Sequence, residues 1–246
     1  MSDMLHDWGE IKKVLDAHGL PVDRDGYDLP TDPYGLDEAR GTVVGDELVV
    51  GVLVNDDSDA CNPAQENDGF GELWLAERGL RILELVNESH KRYPTRREHE
   101  AIVADAEEAR HIWFWVEKYE HGQVHFSVAN TRGYPDRMWD VGVCGIFVPC
   151  DDVQRRYHKD KYKRGGKALA RQEAIRDSNL MLQEYTNWCN GEVYGVVITV
   201  IDLATGEAEE VDSCCGYIGA EYAERELEDK VQCIAAGLAP AVAATA

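Results

Sequence analysis

Residues 187–219 of this 246-residue chain read NWCNGEVYGVVITVIDLATGEAEEVDSCCGYIG, and this stretch decides the fold. Two largely apolar runs, residues 193–203 and 210–217, flank Ala204, Thr205 and Gly206, whose residue types are typical of a turn. The first run is apolar at nearly every position, which predicts a strand that is buried on both faces inside a sheet. The stretch therefore predicts a central antiparallel hairpin.

Further strands are predicted upstream of this stretch. Strand-like runs lie at residues 42–44 and 48–54, and residues 111–130 predict a second hairpin. Both hairpins have short turns, and no regular alternation of strands and helices is present. We therefore expect an α+β fold, namely a mostly antiparallel sheet of five or more strands with flanking helices in a single domain.

Apolar residues at helical spacing predict helices at residues 3–18, 79–93 and 221–238. A capping box of Thr95 and Glu98 predicts one more helix after residue 94. The expected organisation is an N-terminal helix and irregular connection over residues 1–41. A single α+β domain over residues 42–238 and a frayed tail over 239–246 follow it.

Four short motifs lie in the C-terminal half of the chain. They are WDVGVCG at residues 139–145, GEVYG at 191–195, DSC at 212–214 and GYIG at 216–219. This pattern resembles a widespread family of uncharacterised proteins encoded by phages and plasmids. The resemblance covers about residues 52–219 and implies a strand at 139–148, then a long charged helix at 151–188, then the hairpin. It implies a phage or mobile-element origin and no particular reaction.

The formal net charge of −22 limits the partners of this protein. Only residues 154–171, with a charge of +7, are strongly basic. Direct nucleic-acid binding is disfavoured, because each phosphate contact would form against a repulsive long-range field. The carboxylates either imitate the DNA backbone for a basic partner or form a solvated acidic surface that maintains solubility.

The sequence predicts a cytoplasmic protein of a host cell. No apolar run reaches the length of about 18 residues that a membrane span needs, and the N-terminal residues lack the features of a signal peptide. We therefore expect no membrane partner. The seven cysteines lie at scattered positions and are expected to be free thiols in a reducing compartment.

The cysteines near the hairpin do not predict a metal site. Cys189, Cys214 and Cys215 lack the spacing of zinc ligands, and neighbouring residues of a strand point to opposite faces. A turn centred on Thr205 would place Cys215 opposite Tyr194. We expect no metal and no cofactor.

An enzyme remains the competing class, with a site assembled from distant residues. Cys61 is a candidate nucleophile and His125 a candidate base, although no local motif brings them together. A virion or assembly component is a third class. The basic segment 154–171 also allows docking against a second copy, so a homo-oligomer is an open alternative.

We favour a non-enzymatic protein that binds and inhibits a host nucleic-acid-handling or defence protein, as an anti-restriction or anti-CRISPR protein does. The predicted partner-binding residues are Asp56, Asp57, Asp59, Glu66 and Asp68, because they concentrate carboxylates in a predicted exposed loop. Asp56, Asp57 and Asp59 could instead hold a hard cation, although an acidic turn after a buried strand is the commoner explanation.

Overall fold

The computed structural model describes residues 4–30, 38–56, 61–66, 69–76, 85–87, 96–132, 141–163 and 165–239. The chain divides into two compact units. The first unit comprises Met1–Ser58 and Glu192–Ala246, and the second comprises Asp59–Gly191. The second unit is thus inserted into the sequence of the first.

The helices and strands of the described ranges follow one another in this order: α1 (Trp8–Ala17), β1 (Ala39–Val44), β2 (Glu47–Asn55), α2 (Pro63–Glu66), β3 (Gly71–Ala76), β4 (Leu85–Asn87), α3 (Arg96–Glu108), β5 (Phe114–His121), β6 (Gln123–Val128), β7 (Val141–Pro149), α4 (Asp151–Asp160), α5 (Gly166–Cys189), β8 (Val193–Asp202), β9 (Ala208–Ile218) and α6 (Ala220–Leu238). A short 3-10 helix spans Arg24–Tyr27. None of these helices has the length and apolar composition that crossing a bilayer requires.

The first unit is built on a four-stranded antiparallel sheet in the order β1-β2-β8-β9. The predicted C-terminal hairpin is confirmed as β8 and β9. Strand β8 lies between β2 and β9, and most of its side chains are buried, as its continuous apolar run predicts.

Helices cover both faces of this sheet. Leu48 and Val50 of β2 belong to one buried cluster with Ile11 of α1, whereas Val49 belongs to another with Leu227 of α6. The two clusters lie on opposite faces because successive side chains of a strand alternate. The first 41 residues therefore contribute a helix to the core of this unit.

The second unit contains a five-stranded antiparallel sheet in the order β4-β3-β7-β5-β6. Strand β6 is an outer strand of this sheet, so the backbone amides on its outer side have no neighbouring strand to bond. Side chains at helix α5 accept hydrogen bonds from these amides instead. Three amides of β6 donate to side-chain oxygens of α5 or of the residue after it: Val124 to Asn190 (2.9 Å), Phe126 to Thr186 (2.9 Å) and Val128 to Asn179 (2.8 Å). The contacts fix α5 against the hairpin of β5 and β6.

The predicted α+β class with mostly antiparallel strands and flanking helices is confirmed. The strands are distributed over two sheets, of four and five strands. The second predicted hairpin, over residues 111–130, is confirmed as β5 and β6. The closing helix is confirmed as α6.

Two helix predictions are wrong. Within the predicted helix 79–93, Leu85–Asn87 instead forms β4, which pairs with β3. A short apolar run fits either structure, and here pairing with a neighbouring strand determines the outcome. The long helix predicted at 151–188 is broken into α4 and α5, because Gly165 (φ +104°) and Gly166 (φ +63°) adopt a conformation that no right-handed helix continues through.

The N-terminal helix is shorter than predicted. It begins at Trp8 because the Asp7 side chain accepts a hydrogen bond from the amide of Glu10, as a helix cap does. Upstream, Leu5 forms a β-bridge with Gly41. The predicted capping residue Thr95 lies outside the described residues.

Candidate functional site

The structure describes part of the predicted acidic site. Asp56 follows β2 in the first unit, and its Oδ2 accepts a hydrogen bond of 2.9 Å from the amide of Gly216 in β9. Glu66 ends α2 in the second unit, and its side chain lies outside the described residues. Asp57, Asp59 and Asp68 lie outside them too. One carboxylate oxygen of Asp56 therefore holds the end of the hairpin in place.

The acidic charge is concentrated in one of the two units. The first unit has 25 Asp and Glu against six Lys and Arg, a formal charge of −19, whereas the second has 22 against 19, a formal charge of −3. Strand β9 is one of the two outer strands of its sheet. Glu207, just before β9, and Glu209 and Glu210, at its start, are exposed. The fold joins two acidic ends of the chain in one unit.

The cysteines of the hairpin are placed differently from the prediction. Tyr194 pairs with Tyr217, and Val196 pairs with Cys214, because irregularities in the β8–β9 ladder shift its register. Cys214 and Cys215 are both exposed. Within the described ranges, no group of three or more His, Cys, Asp or Glu side chains is arranged to hold a metal ion.

The two residues of the enzymatic alternative lie in the second unit. Cys61 is half-buried just before α2. His125 is half-buried in β6, where its ring stacks on that of Tyr119 at a centroid distance of 6.4 Å. The ring of His125 therefore packs against the neighbouring strand of its own hairpin.

A cleft of about 880 Å³ lies in the second unit, where the end of α3 and the start of β5 meet helices α4 and α5. Its lining combines positively charged and aromatic side chains. The cationic side chains are Arg110, Lys161, Lys167 and Arg171, with a single carboxylate, Glu107, among the lining residues. We refer to this feature as the cationic cleft.

The four cations of the cationic cleft form no ion pair with a carboxylate of the described residues within 4.0 Å. Other cations of the same two helices do form such pairs, since Arg156 and Arg176 both contact Asp177. The cleft thus concentrates positive charge in a protein that is otherwise strongly acidic.

Aromatic rings fix and flank these cations. The guanidinium of Arg171 lies 5.1 Å from the ring centroid of Phe114, in a cation–π contact. Trp113 and Trp115 contact each other edge to face at 5.4 Å. Trp115 pairs with Ile146 and lies on the sheet face opposite Phe114, whereas Tyr162 is 84% exposed and offers its ring to a ligand.

A buried glutamine joins the two sides of the cleft. Oε1 of Gln154 in α4 accepts a hydrogen bond of 2.8 Å from the amide of Ile112. Its Nε2 donates to the carbonyls of Ile112 (2.9 Å) and Pro149 (3.1 Å). Gln154 is only 4% exposed, so these bonds are shielded from water. They position α4 against the segment that leads into β5.

His158 positions Lys161 in the cleft. Nζ of Lys161 lies 2.9 Å from Nδ1 of His158, so the ammonium donates and the imidazole accepts. Burial lowers the pKa of His158 below its ordinary 6.5, and the charge of Lys161 lowers this pKa further. His158 is therefore neutral near pH 7, and the positive charge of the cleft comes from its lysines and arginines.

The sequence contains both halves of the cationic cleft without showing that they meet. The basic segment 154–171 and the run of Trp113, Phe114 and Trp115 are each visible in the sequence. The break at Gly165 and the packing of α4 and α5 bring them to one cleft. Sequence reasoning missed Arg110 as a candidate, because it is an isolated cation after a helix.

Comparison of the chain with protein-family models, curated proteins and solved structures finds no match. The resemblance to phage- and plasmid-encoded proteins therefore stays a prediction from the sequence motifs.

Proposed function

We propose that this chain is a non-enzymatic phage or mobile-element protein that binds and inhibits a nucleic-acid-handling or defence protein in the host cytoplasm. Its acidic first unit imitates the charge of DNA and occupies a basic groove of that partner. The supporting observation is the formal charge of −19 in one compact unit. Such a field accelerates association with a basic partner and repels free nucleic acid.

The contact surface centres on the exposed carboxylates Glu207, Glu209 and Glu210, which precede or begin the outer strand β9. A strand at the end of a sheet presents its side chains to a partner without rearrangement of the core. Of the contacts predicted from the sequence, Asp57 belongs to the first unit and stays part of this proposal, whereas Asp59, Glu66 and Asp68 belong to the second unit and stay sequence predictions. Asp56 contributes less, because one of its oxygens is engaged by Gly216.

The test replaces Glu207, Glu209 and Glu210 together with glutamine. The partner is first isolated on the immobilised protein from host lysate, and its association rate is then measured by surface plasmon resonance across a salt series. We expect the triple variant to associate at least tenfold more slowly at low salt. The difference should disappear at high salt, because exposed charges are then screened.

A matched control changes the net charge equally in the second unit. It replaces the exposed Asp105, Glu108 and Glu173 with Asn or Gln. We expect the control to associate with nearly normal kinetics. Equal slowing by both triple variants would contradict a contact surface on β9, and binding that does not change with salt would contradict charge imitation altogether.

A further inference from the structure

We propose that the cationic cleft of the second unit binds a nucleotide, with its phosphate held by the cations and its base against the aromatic rings. The site uses residues of α3, β5, α4 and α5 and the segments that join them. It does not use the acidic surface of the first unit. The inference therefore stands independently of the proposed inhibition of a host protein.

The cations account for the phosphate. Arg110, Lys161, Lys167 and Arg171 surround one cleft, and no carboxylate among the described residues pairs with any of them. Like charges held together repel each other, and a bound anion removes that repulsion. Arginine and lysine bind phosphate oxygens through charge-assisted hydrogen bonds, which are among the stronger ones in proteins. The cleft is therefore complementary to a group with two or more negative charges.

The aromatic rings account for the base. Tyr162 is too exposed to serve the core, and its ring centroid lies 5.2 Å from Nζ of Lys161, beside the cations. A flat base gains affinity by stacking on such rings, whereas an inorganic anion gains nothing from them. A ligand that is both anionic and aromatic engages both the cations and the exposed ring of Tyr162.

The size and charge of the protein favour a single nucleotide over a nucleic acid strand. A cleft of about 880 Å³ lies in the range of small-molecule pockets, which is about 300–1,000 Å³. A strand carries many phosphates, each repelled by the net charge of −22. A mononucleotide carries few charges and places them all beside the local cations.

The backbone at Arg110 supports a binding role. Arg110 follows α3 with φ at +59°, and the next amide, that of His111, donates to the carbonyl of Ala106 at 2.7 Å. This left-handed position after a helix is one that glycine usually occupies, because a side chain there is strained. Arg110 thus has a strained backbone conformation, and its side chain lines the cleft.

The test titrates the whole protein with the four common nucleoside 5′-monophosphates and triphosphates, using calorimetry and tryptophan fluorescence. We expect saturable binding of at least one nucleotide. Lys161→Gln with Lys167→Gln should weaken it at least tenfold, because each lost contact to a charged group costs that much or more. The matched control, Lys159→Gln with Lys163→Gln, removes the same charge outside the cleft and should leave the affinity unchanged.

Two single variants separate binding from folding. Arg110→Gly removes a cation and relieves the backbone, so it should weaken binding while the melting temperature stays the same or rises. Tyr162→Ser removes an exposed ring and should weaken nucleotide binding by about fivefold to a hundredfold. It should not change the affinity for inorganic phosphate.

Four results would overturn the proposal. The first is a folded wild-type protein that binds none of the nucleotides, and the second is inorganic phosphate binding as tightly as the best nucleotide. The third is tighter binding of a short single-stranded oligonucleotide, which would assign the cleft to nucleic acid. The fourth is a wild-type dimer that dissociates when Lys161 and Lys167 are replaced, which would make the cleft an interface between copies.

Discussion

Replacing Gln154 with leucine tests how the cationic cleft is held together. The change keeps the approximate size of the side chain and removes its three hydrogen bonds to Ile112 and Pro149. Ile112 is 5% exposed, so water cannot replace the lost partner. Each buried backbone group left unpaired costs about 1–3 kcal/mol. The amide and carbonyl of Ile112 together therefore predict a loss of about 2–6 kcal/mol in the free energy of unfolding.

Urea unfolding followed by tryptophan fluorescence measures this loss in the second unit, which holds five of the six tryptophans. The matched control is Gln172→Leu on α5, where the side chain is exposed. We expect the control to change the unfolding free energy by no more than about 0.5 kcal/mol. A Gln154→Leu loss as small as that of the control, at an equal denaturant slope, would refute the reasoning.

Two further variants test packing and pH dependence. A methyl group at Gly51 would lie 2.5 Å from Leu227 of α6, so Gly51→Ala should destabilise the first unit by about 1–3 kcal/mol. The control Gly142→Ala adds a methyl group in open space and should not destabilise the protein. Equal melting temperatures of the two variants would contradict close packing at Gly51. The pKa of His158 is lowered by burial and by the charge of Lys161, so the unfolded chain binds more protons below about pH 6.5 and stability should fall as the pH drops through that value. His158→Gln should flatten this part of the stability profile, and an unchanged profile between pH 7.5 and 5.5 would show that the titration of His158 does not control it.

Local patterns in the sequence were sufficient for much of the fold. The apolar run of β8 and the turn residues after it predict the central strand and the hairpin of the first unit. Apolar residues at helical spacing predict the closing helix α6. These predictions succeed because buried residues recur with the period of the strand or helix that carries them. The helix predicted at residues 79–93 fails at Leu85–Asn87, since two apolar residues, Leu85 and Val86, do not distinguish a helix from an edge strand. Pairing with β3 determines their conformation.

The candidate sites show the same division between local and tertiary information. The basic segment 154–171 was visible as a charged stretch, but its pairing pattern was not, because ion pairs depend on which helices pack together. Arg110 carried no signal in the sequence, since its importance comes from its position at the end of α3. The contact residue Asp56 is predicted from the density of carboxylates in an expected exposed loop, and its bond to Gly216 depends on the ladder of β8 and β9.

The sequence by itself determined the total charge of −22, the two hairpins and the burial of β8 on both faces. These are properties of composition and of local periodicity, which need no knowledge of distant contacts. Only the tertiary structure decided where the charge lies. By joining the chain ends in one unit, the fold collects a charge of −19 there. By packing α4 and α5 beside β5 it brings together four cations around one cleft, none of which pairs with a carboxylate among the described residues. Charge is additive along a chain, but its effect depends on which surfaces the packing of helices and sheets brings together.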